Sequence, residues 1–449
     1  MLNDELANLN IGDKRLKKRS IKLLEILGSK PQQSIPCACN GWSETKAAYR
    51  LFDNDKVTGE SILEPHREKT LERMKAYPVV LCVEDTSEID YTGKNDIEGL
   101  GVLNYEARQG FYLHPMLAIT PDRLCLGVLD GFNFSRKKGS LGKNKDKNRP
   151  IGEKESARWL RGYLATCDDQ ANLPDTQLVY VTDREGDLYE LYMAAEKRAE
   201  SGLATASWLI RGKHNRILEN EAHLLSEVEN TKAWGEIEFD LPKGRGRKSR
   251  HVVQSLYSKR VKLNGTEVTV ILSREENPPT REKAIEWFFI TNDEIESFEA
   301  AAERIRWYLC RWQIEIFFKI LKSGCKIEAL QLESKKRLEV ALSFYMIIAW
   351  RILYLTTLGR SCPELPCDVV FETEEWQAAY LLSHRQPPPN TPPTINEMIR
   401  TISTFGGFLN RKRDGEPGVQ TLWIGLQRVK DFALAIQIHD GLIPKQRYG

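Results

Sequence analysis

From about residue 77 the chain alternates short apolar runs with turn residues. VVLCVED (79–85), FYLHPMLAIT (111–120), LCLGVLDGF (124–132) and LVYVTD (178–183) have the length and branched apolar content of buried strands. Helical stretches such as EKESARWLRGYLATC (153–167) lie between them, and strands mixed with helices predict an α/β core. Residues from about 217 to 285 read as a polar, strand-rich insertion containing WGEIEFDL, VVQSLYSKRVKL and EVTVIL, with a Gly/Arg/Lys loop at 243–250. A long helix follows, opening at Ser297 and stopping at Ser323-Gly324, then a second apolar helix near 338–358. A Pro-rich linker, QPPPNTPPT (386–394), leads to a helical C-terminal module. The first sixty or so residues read as short helices. Asp13 caps one that stops at Gly28, and Ser43 caps another that runs to the Asp53-Asn54-Asp55 break.

At 449 residues, two or three domains are expected. Hydrophobic residues at 41% and charged residues at 29% are ordinary for a soluble globular protein. No apolar run approaches the ~18–20 residues of a membrane span, and MLNDELANLNIGDKR has no signal-peptide core, so a cytoplasmic protein with no membrane partner is expected. The nine cysteines show no CxxC pair and read as small buried hydrophobes in a reducing compartment.

Charge changes the picture through its distribution. The formal net charge is only +2, yet basic clusters recur at Lys14 to Arg19, at Arg136-Lys137-Lys138 running on to Lys147 and Arg149, at Lys243 to Lys248, and at Arg411-Lys412-Arg413. One such cluster is usually a solvated face. Several in a near-neutral chain point to a polyanion met by several parts of the protein.

Two strands end alike: VVLCVED delivers Asp85 and LVYVTD delivers Asp183, each followed by a polar turn. Strand tips are where an open α/β sheet presents functional groups, although Asp there is also a common turn residue or helix cap. The helix from Ser297 adds more. At about 100° per residue, Tyr308, Arg311, Glu315 and Lys322 fall within about 60° of arc, with Ile, Leu and Phe over most of the rest. Ion pairs along the helix explain Arg311 with Glu315. They leave unexplained a surplus of cations around one acid in an apolar helix, which is costly unless an anion is bound. Three carboxylates suit a hard cation, Mg²⁺ or Mn²⁺, and two such ions can drive phosphodiester displacement. Glu84, Glu88, Asp90, Glu185 and Asp187 crowd the two Asp motifs as possible secondary ligands, with spacing favouring Asp85 and Asp183.

Tyr308, Arg311, Glu315 and Lys322 reproduce the Y-(2)-R-(3)-E-(6)-K signature of bacterial cut-and-paste transposases of the "insertion sequence four" group. The chain resembles that family also through IGDKRLKKR (11–19), VEDTS (83–87), VTDREGD (181–187), LIRGKH (209–214) and TFGGFLNRKRDGEPGVQTLW (404–423). The resemblance implies a ribonuclease-H-like mixed sheet with helices, interrupted by the β-rich insertion and flanked by helical N- and C-terminal domains. Its expected divisions are 1–65 for DNA-end binding, 66–360 for catalysis with the insertion at about 217–285, and 361–449 for dimerisation. It implies that Asp85, Asp183 and Glu315 are the catalytic metal ligands, with two ions. Tyr308, Arg311 and Lys322, and more weakly Lys319, would grip the phosphate near the strand end. Trp287, otherwise read as a core residue, would stack on a base flipped from the duplex. Arg211, Lys213 and His214 would meet the DNA backbone, and Arg15 and Arg19 the element end, although Leu16 stands where the family's best-known member has arginine.

The implied chemistry is strand hydrolysis, hairpin formation, hairpin opening and joining of the 3′-OH to target DNA. The partners would be double-stranded element ends, target DNA and a second copy of the chain, with the C-terminal helices as the contact. Two alternatives are a non-mobile nuclease with the same core and a transposase-derived DNA-binding regulator. A phosphatase with a strand-tip Asp nucleophile fits less well, since Asp85-Thr86-Ser87 has no second Asp two residues on.

Overall fold

In the computed structural model the first helix, α1 (Lys14–Ser29), opens where Asp13 accepts the Arg15 N–H at 2.7 Å. Its Leu16, Ser20, Leu23, Leu24 and Leu27 are buried, while Lys14, Arg15, Lys18 and Arg19 face outward. Helix α2 (Ile35–Cys39) precedes α3 (Trp42–Phe52), which starts one residue before the expected cap, so Ser43 lies inside it and Gly41 takes the cap position. Helix α4 (Gly59–Met74) starts from a capping box between Thr58 and Ser61 and runs across residue 65. The structure describes every residue except 1, 40, 95–96, 142–148, 242–248, 281 and 440–449. Lys147 and the basic stretch 243–248 therefore lie outside the described residues.

The expected strands form. They are β1 (Val79–Glu84), β2 (Ser87–Asp90), β3 (Gly101–Val102), β4 (Gln109–Ile119) and β5 (Cys125–Phe134). Helix α5 (Ala157–Asn172) then crosses to β6 (Gln177–Thr182), and α6 (Tyr189–Glu200) crosses to β7 (Ser207–Arg211). Strand β4 pairs antiparallel with both β1 and β5, whereas β1, β6 and β7 run parallel. The order β5-β4-β1-β6-β7 is a ribonuclease-H-like sheet. Alternation sorts its side chains: Leu81, Val83, Val179, Val181 and Leu209 enter one core, and Val80, Cys82, Tyr180, Trp208 and Ile210 enter the other. Strands so apolar on both sides must be covered on both faces.

The insertion extends this same sheet. After α7 (Leu224–Glu229) come β8 (Gly235–Leu241), β9 (Arg250–Leu263), β10 (Thr266–Arg274) and β11 (Glu286–Thr291), and β11 pairs antiparallel with β7. The result is one mixed sheet of eleven strands.

The long helix is segmented. Ser297 caps α8 (Phe298–Leu309) by accepting the Ala300 N–H, but regular α-helix resumes only at α9 (Trp312–Lys319). Across the junction and into the first turn of α9, Cys310, Arg311, Gln313 and Ile314 donate to carbonyls three residues back, the tighter 3₁₀ pattern. Ile320–Gly324 then form a π-turn in which the Cys325 N–H reaches the Ile320 carbonyl at 2.7 Å. The uniform 100° step therefore does not hold along Tyr308–Lys322.

Helix α10 (Lys335–Ser361) has the length and hydropathy of a membrane span, but its most apolar stretch is 89% buried, packed against β5, α4 and α1, so it is a core helix. Helices α11 (Thr373–His384), α12 (Ile395–Phe405) and α13 (Val419–His439) pack on one another around the Pro-rich connection. Buried Glu375 of α11 joins them, paired with Arg351 of α10 and with Lys430 of α13 at 2.6 Å. Seven of the nine cysteines are buried and all are free, and burial pushes the Cys125 thiol up to about 12.

Candidate active site

The two strand-tip aspartates are neighbours because β1 and β6 pair in parallel register, Val83 opposite Val181. Asp85 and Asp183 continue the alternation of Leu81 and Val83, and of Val179 and Val181, so both lie toward the face covered by α9 and α10. The ladder between β1–β2 and β4 lapses at this point. Glu84 pairs with Met116 and Ser87 with Leu113, which leaves Asp85 and Thr86 opposite His114 and Pro115. Proline brings no N–H to a ladder, and the chain leaves the sheet where Asp85 is needed.

Arg311 gathers the site. Its Nη1 donates to Asp85 Oδ2 at 2.5 Å and its Nη2 to Glu315 Oε1 at 2.9 Å. Burial pushes the Asp85 carboxyl up, Arg311 and the Thr86 N–H pull it down, and the charges of Asp183 and Glu315 push it up again, the net shift being upward. Asp85 thus feels both other acids. Asp183 accepts the Glu185 N–H at 2.8 Å, while Glu315 is largely exposed on α9. Among the described residues no three His, Cys, Asp or Glu side chains are drawn together closely enough to hold an ion as they stand. The Arg311 guanidinium between Asp85 and Glu315 supplies the positive charge there.

Tyr308 is 5% exposed and packed on Phe289, with its buried hydroxyl beside the Arg311 guanidinium. Lys322 sits in the π-turn 3.6 Å from Glu328, and Lys319 is exposed. Trp287 is half-buried on β11, its ring stacked on Phe239 at 5.4 Å. Arg211 ends β7 with its Nε buried and unpartnered, and Lys213 and His214 project outward just beyond it.

The crowd of secondary acids has other work. Asp187 accepts the N–H groups of Lys213 and His214 at 2.6 and 3.0 Å and bonds Arg216 and Tyr192, so it anchors the 211–216 loop. Glu88 and Asp90 hold Arg108, and Glu185 holds Arg158. Glu84 points away from Asp85 into the opposite core. Sequence reasoning missed Arg158, Thr86 and His114, which adjoin the site. The available signal was a histidine inside an otherwise apolar strand run, FYLHPMLAIT.

Three family models match in chain order: "Transposase DNA-binding" over residues 1–57, "Transposase DDE domain" over 203–351, and "Transposase Tn5 dimerisation domain" over 347–438. The chain belongs to the Tn5-like DDE transposases. It is a DNA transposase, an enzyme that binds DNA and dimerises, and its family implies dependence on divalent metal. The DDE match spans Glu315, Arg311 and Tyr308, while Asp85 and Asp183 lie N-terminal to it. A cryo-EM structure of a piggyBac transposase synaptic complex with hairpin DNA is similar over 100% of this chain and 79% of that one, at 8% identity and a TM-score of 0.39.

Proposed function

We propose that this transposase excises and reinserts a mobile DNA element, with Asp85, Asp183 and Glu315 as its catalytic acids. The observation that carries the reading is the meeting of two parallel strand tips with α9, tied through Arg311. The donors suit a metal in kind: three carboxylates are the oxygen ligands Mg²⁺ or Mn²⁺ takes, and with Arg311 now bridging Asp85 and Glu315 they would have to close in to hold it. Two ions bound there would supply the charge needed to ionise a water or 3′-OH and to stabilise the departing oxygen.

The chain's own residues do the rest. Arg311 holds Asp85 and Glu315 until a DNA phosphate offers it a better bidentate partner, and its departure frees both carboxylates. The Tyr308 hydroxyl, beside Arg311, donates to that phosphate, and Lys322 and the exposed Lys319 neutralise its neighbours. Trp287 leaves Phe239 as its stacking partner for a base turned out of the duplex, which relieves the tight bend of a hairpin at an unstacking cost of a few kcal/mol. Arg211, with its buried unpartnered Nε, and Lys213 and His214 beside it track the backbone, while outward Arg15 and Arg19 on α1 meet the element end. The 3′-OH freed by the first cut attacks the opposite strand, and after hairpin opening joins target DNA.

The division into end-binding, catalytic and dimerising parts follows 1–65, 66–360 and 361–449, with the first boundary better drawn at the 53–58 turn because α4 runs past residue 65. The site of action is the cytoplasm, on the nucleoid. The test uses DNA from the borders of the element that carries the gene. Asp85→Asn, Asp183→Asn and Glu315→Gln should each abolish strand cleavage in Mg²⁺ while end binding by gel shift persists; a variant that still cuts removes its residue from the site.

A further inference from the structure

Behind Asp85, on the face of the sheet turned away from α9, lies a buried polar cluster that the reaction above does not use. Glu84 is fully buried, with its Oε2 2.5 Å from the Tyr180 hydroxyl and its Oε1 without a partner. His114, 1% exposed, faces that Oε2 through Nε2 at 3.3 Å. Its Nδ1 lies 2.8 Å from Thr86 Oγ1, which also accepts from Arg158 Nε at 3.1 Å. The Thr86 N–H donates to Asp85 Oδ1 at 2.7 Å. Space is reserved for this arrangement, since a Cβ on Gly162 of α5 would come within 2.2 Å of both Glu84 oxygens.

Arginine only donates, so the Thr86 hydroxyl accepts from Arg158; it keeps one proton and a second lone pair, and meets His114 Nδ1 as donor or acceptor according to the imidazole tautomer. Nε2, on the other side of the ring, lies beside Glu84 without a hydrogen bond to it. The cluster sits where the backbone ladder lapses, opposite Asp85 and Thr86, so side chains take over the cross-strand link that the main chain drops there.

We propose that His114, backed by Glu84 and acting through Thr86, is a positioning residue that sets the orientation of the Asp85 carboxylate. The inference rests on Asp85 being a metal ligand, and outer partners of metal ligands typically matter by about 10–100-fold in affinity or activity.

The test measures Mn²⁺ binding by electron paramagnetic resonance and strand cleavage, both with end DNA bound, for Thr86→Val, His114→Ala, His114→Asn and the Thr86→Val/His114→Ala double variant. Thr86→Val and His114→Ala should each weaken Mn²⁺ binding and cleavage by about 10–100-fold with gel-shift affinity unchanged. The double variant should be no worse than either single one, because both break the same link. His114→Asn, which keeps a polar atom near the Nδ1 position, should recover part of the loss. Wild-type Mn²⁺ binding in Thr86→Val overturns the inference, and this variant decides the matter even if His114→Ala fails to fold. Additive losses in the double variant overturn it as well. Asp85→Asn is the control for the underlying reading: if it still cleaves, that reading falls, whereas an inactive Asp85→Asn beside a fully active Thr86→Val condemns the relay alone.

Discussion

The contacts Arg311 makes and the phosphate grip proposed for it exclude each other. As found, its guanidinium neutralises Asp85 and Glu315, and its own charge is reinforced by both, its side chain being 12% exposed. When Arg311 grips phosphate, the acids require another cation. Arg311→Ala should therefore destabilise the metal-free protein by about 1–2 kcal/mol, less than a fully buried broken pair because Glu315 is solvated. Mn²⁺ should raise the melting temperature of the variant more than that of the wild type, and calorimetry with and without the ion checks it. Equal shifts would mean that guanidinium and metal do not share the site. For Trp287→Ala, first-strand nicking should persist while hairpin product falls; equal loss of both steps on a denaturing gel would assign Trp287 to the core alone. At this scale the sequence was informative about identity and poor about partnership. The spacing of Tyr308, Arg311, Glu315 and Lys322 singled out the residues, but that Arg311 would reach Asp85 across 226 positions depends on the register of β1 against β6 and the packing of α9. Asp187, one of the acids crowding the Asp183 motif in sequence, is the anchor of a loop.

Elements were legible where hydrophobic texture is strong. The central strands fall within a few residues of their expected ranges because apolar runs of five to ten residues between turns have few other places to go. The helix from Ser297 was legible at its ends and not in its middle. Its cap and its glycine stop are local chemistry, whereas the 3₁₀ segment at Cys310–Arg311 and the π-turn at Ile320–Gly324 follow from tertiary contacts, among them the bond from Cys310 Sγ to the Pro121 carbonyl. These changes of pitch re-aim Glu315 and Lys322 relative to Tyr308. Another element-level tie, Glu375 between Arg351 and Lys430, was invisible in sequence. The two cations hold its carboxyl at about 2 against 4.5 when unfolded, despite burial. A lowered acid stabilises the fold above the unfolded value, and this contribution, about 3 kcal/mol, fades as pH falls from 4.5 toward 2. Glu375→Gln should thus lose about 3 kcal/mol in urea unfolding at pH 7, with the gap to wild type shrinking at pH 3. A gap independent of pH would show that the ion pair is not its source.

Across the whole molecule, one sheet carries both the catalytic strands and the insertion, so Trp287, on the strand that follows the insertion, is tied to the site through β11 against β7. The N-terminal segment is locked on as well. Buried Glu5 pairs with His66 and Arg73 of α4, and the Val128 N–H donates to His66 Nε2, so the imidazole stays neutral, in line with its lowered proton affinity. At the other end α13 buries Leu422, Trp423 and Val429 in the core and leaves Leu434 and Ile438 exposed. Its apolar spacing thus serves a core along one stretch, and the exposed residues remain for a partner. The arrangement predicts a protein that is monomeric without DNA and paired on two element ends, a shift that light scattering can read directly.

The central claim is that one site built on Asp85, Asp183 and Glu315 both cuts and joins DNA. It is tested most directly by incubating the protein in Mg²⁺ with a fragment bearing the element's own borders and a target plasmid, then sequencing the products. The account predicts element 3′ ends joined to the plasmid with a short duplication of target sequence, and no junctions with Glu315→Gln. Cut ends without junctions, or junctions that survive Glu315→Gln, would contradict it.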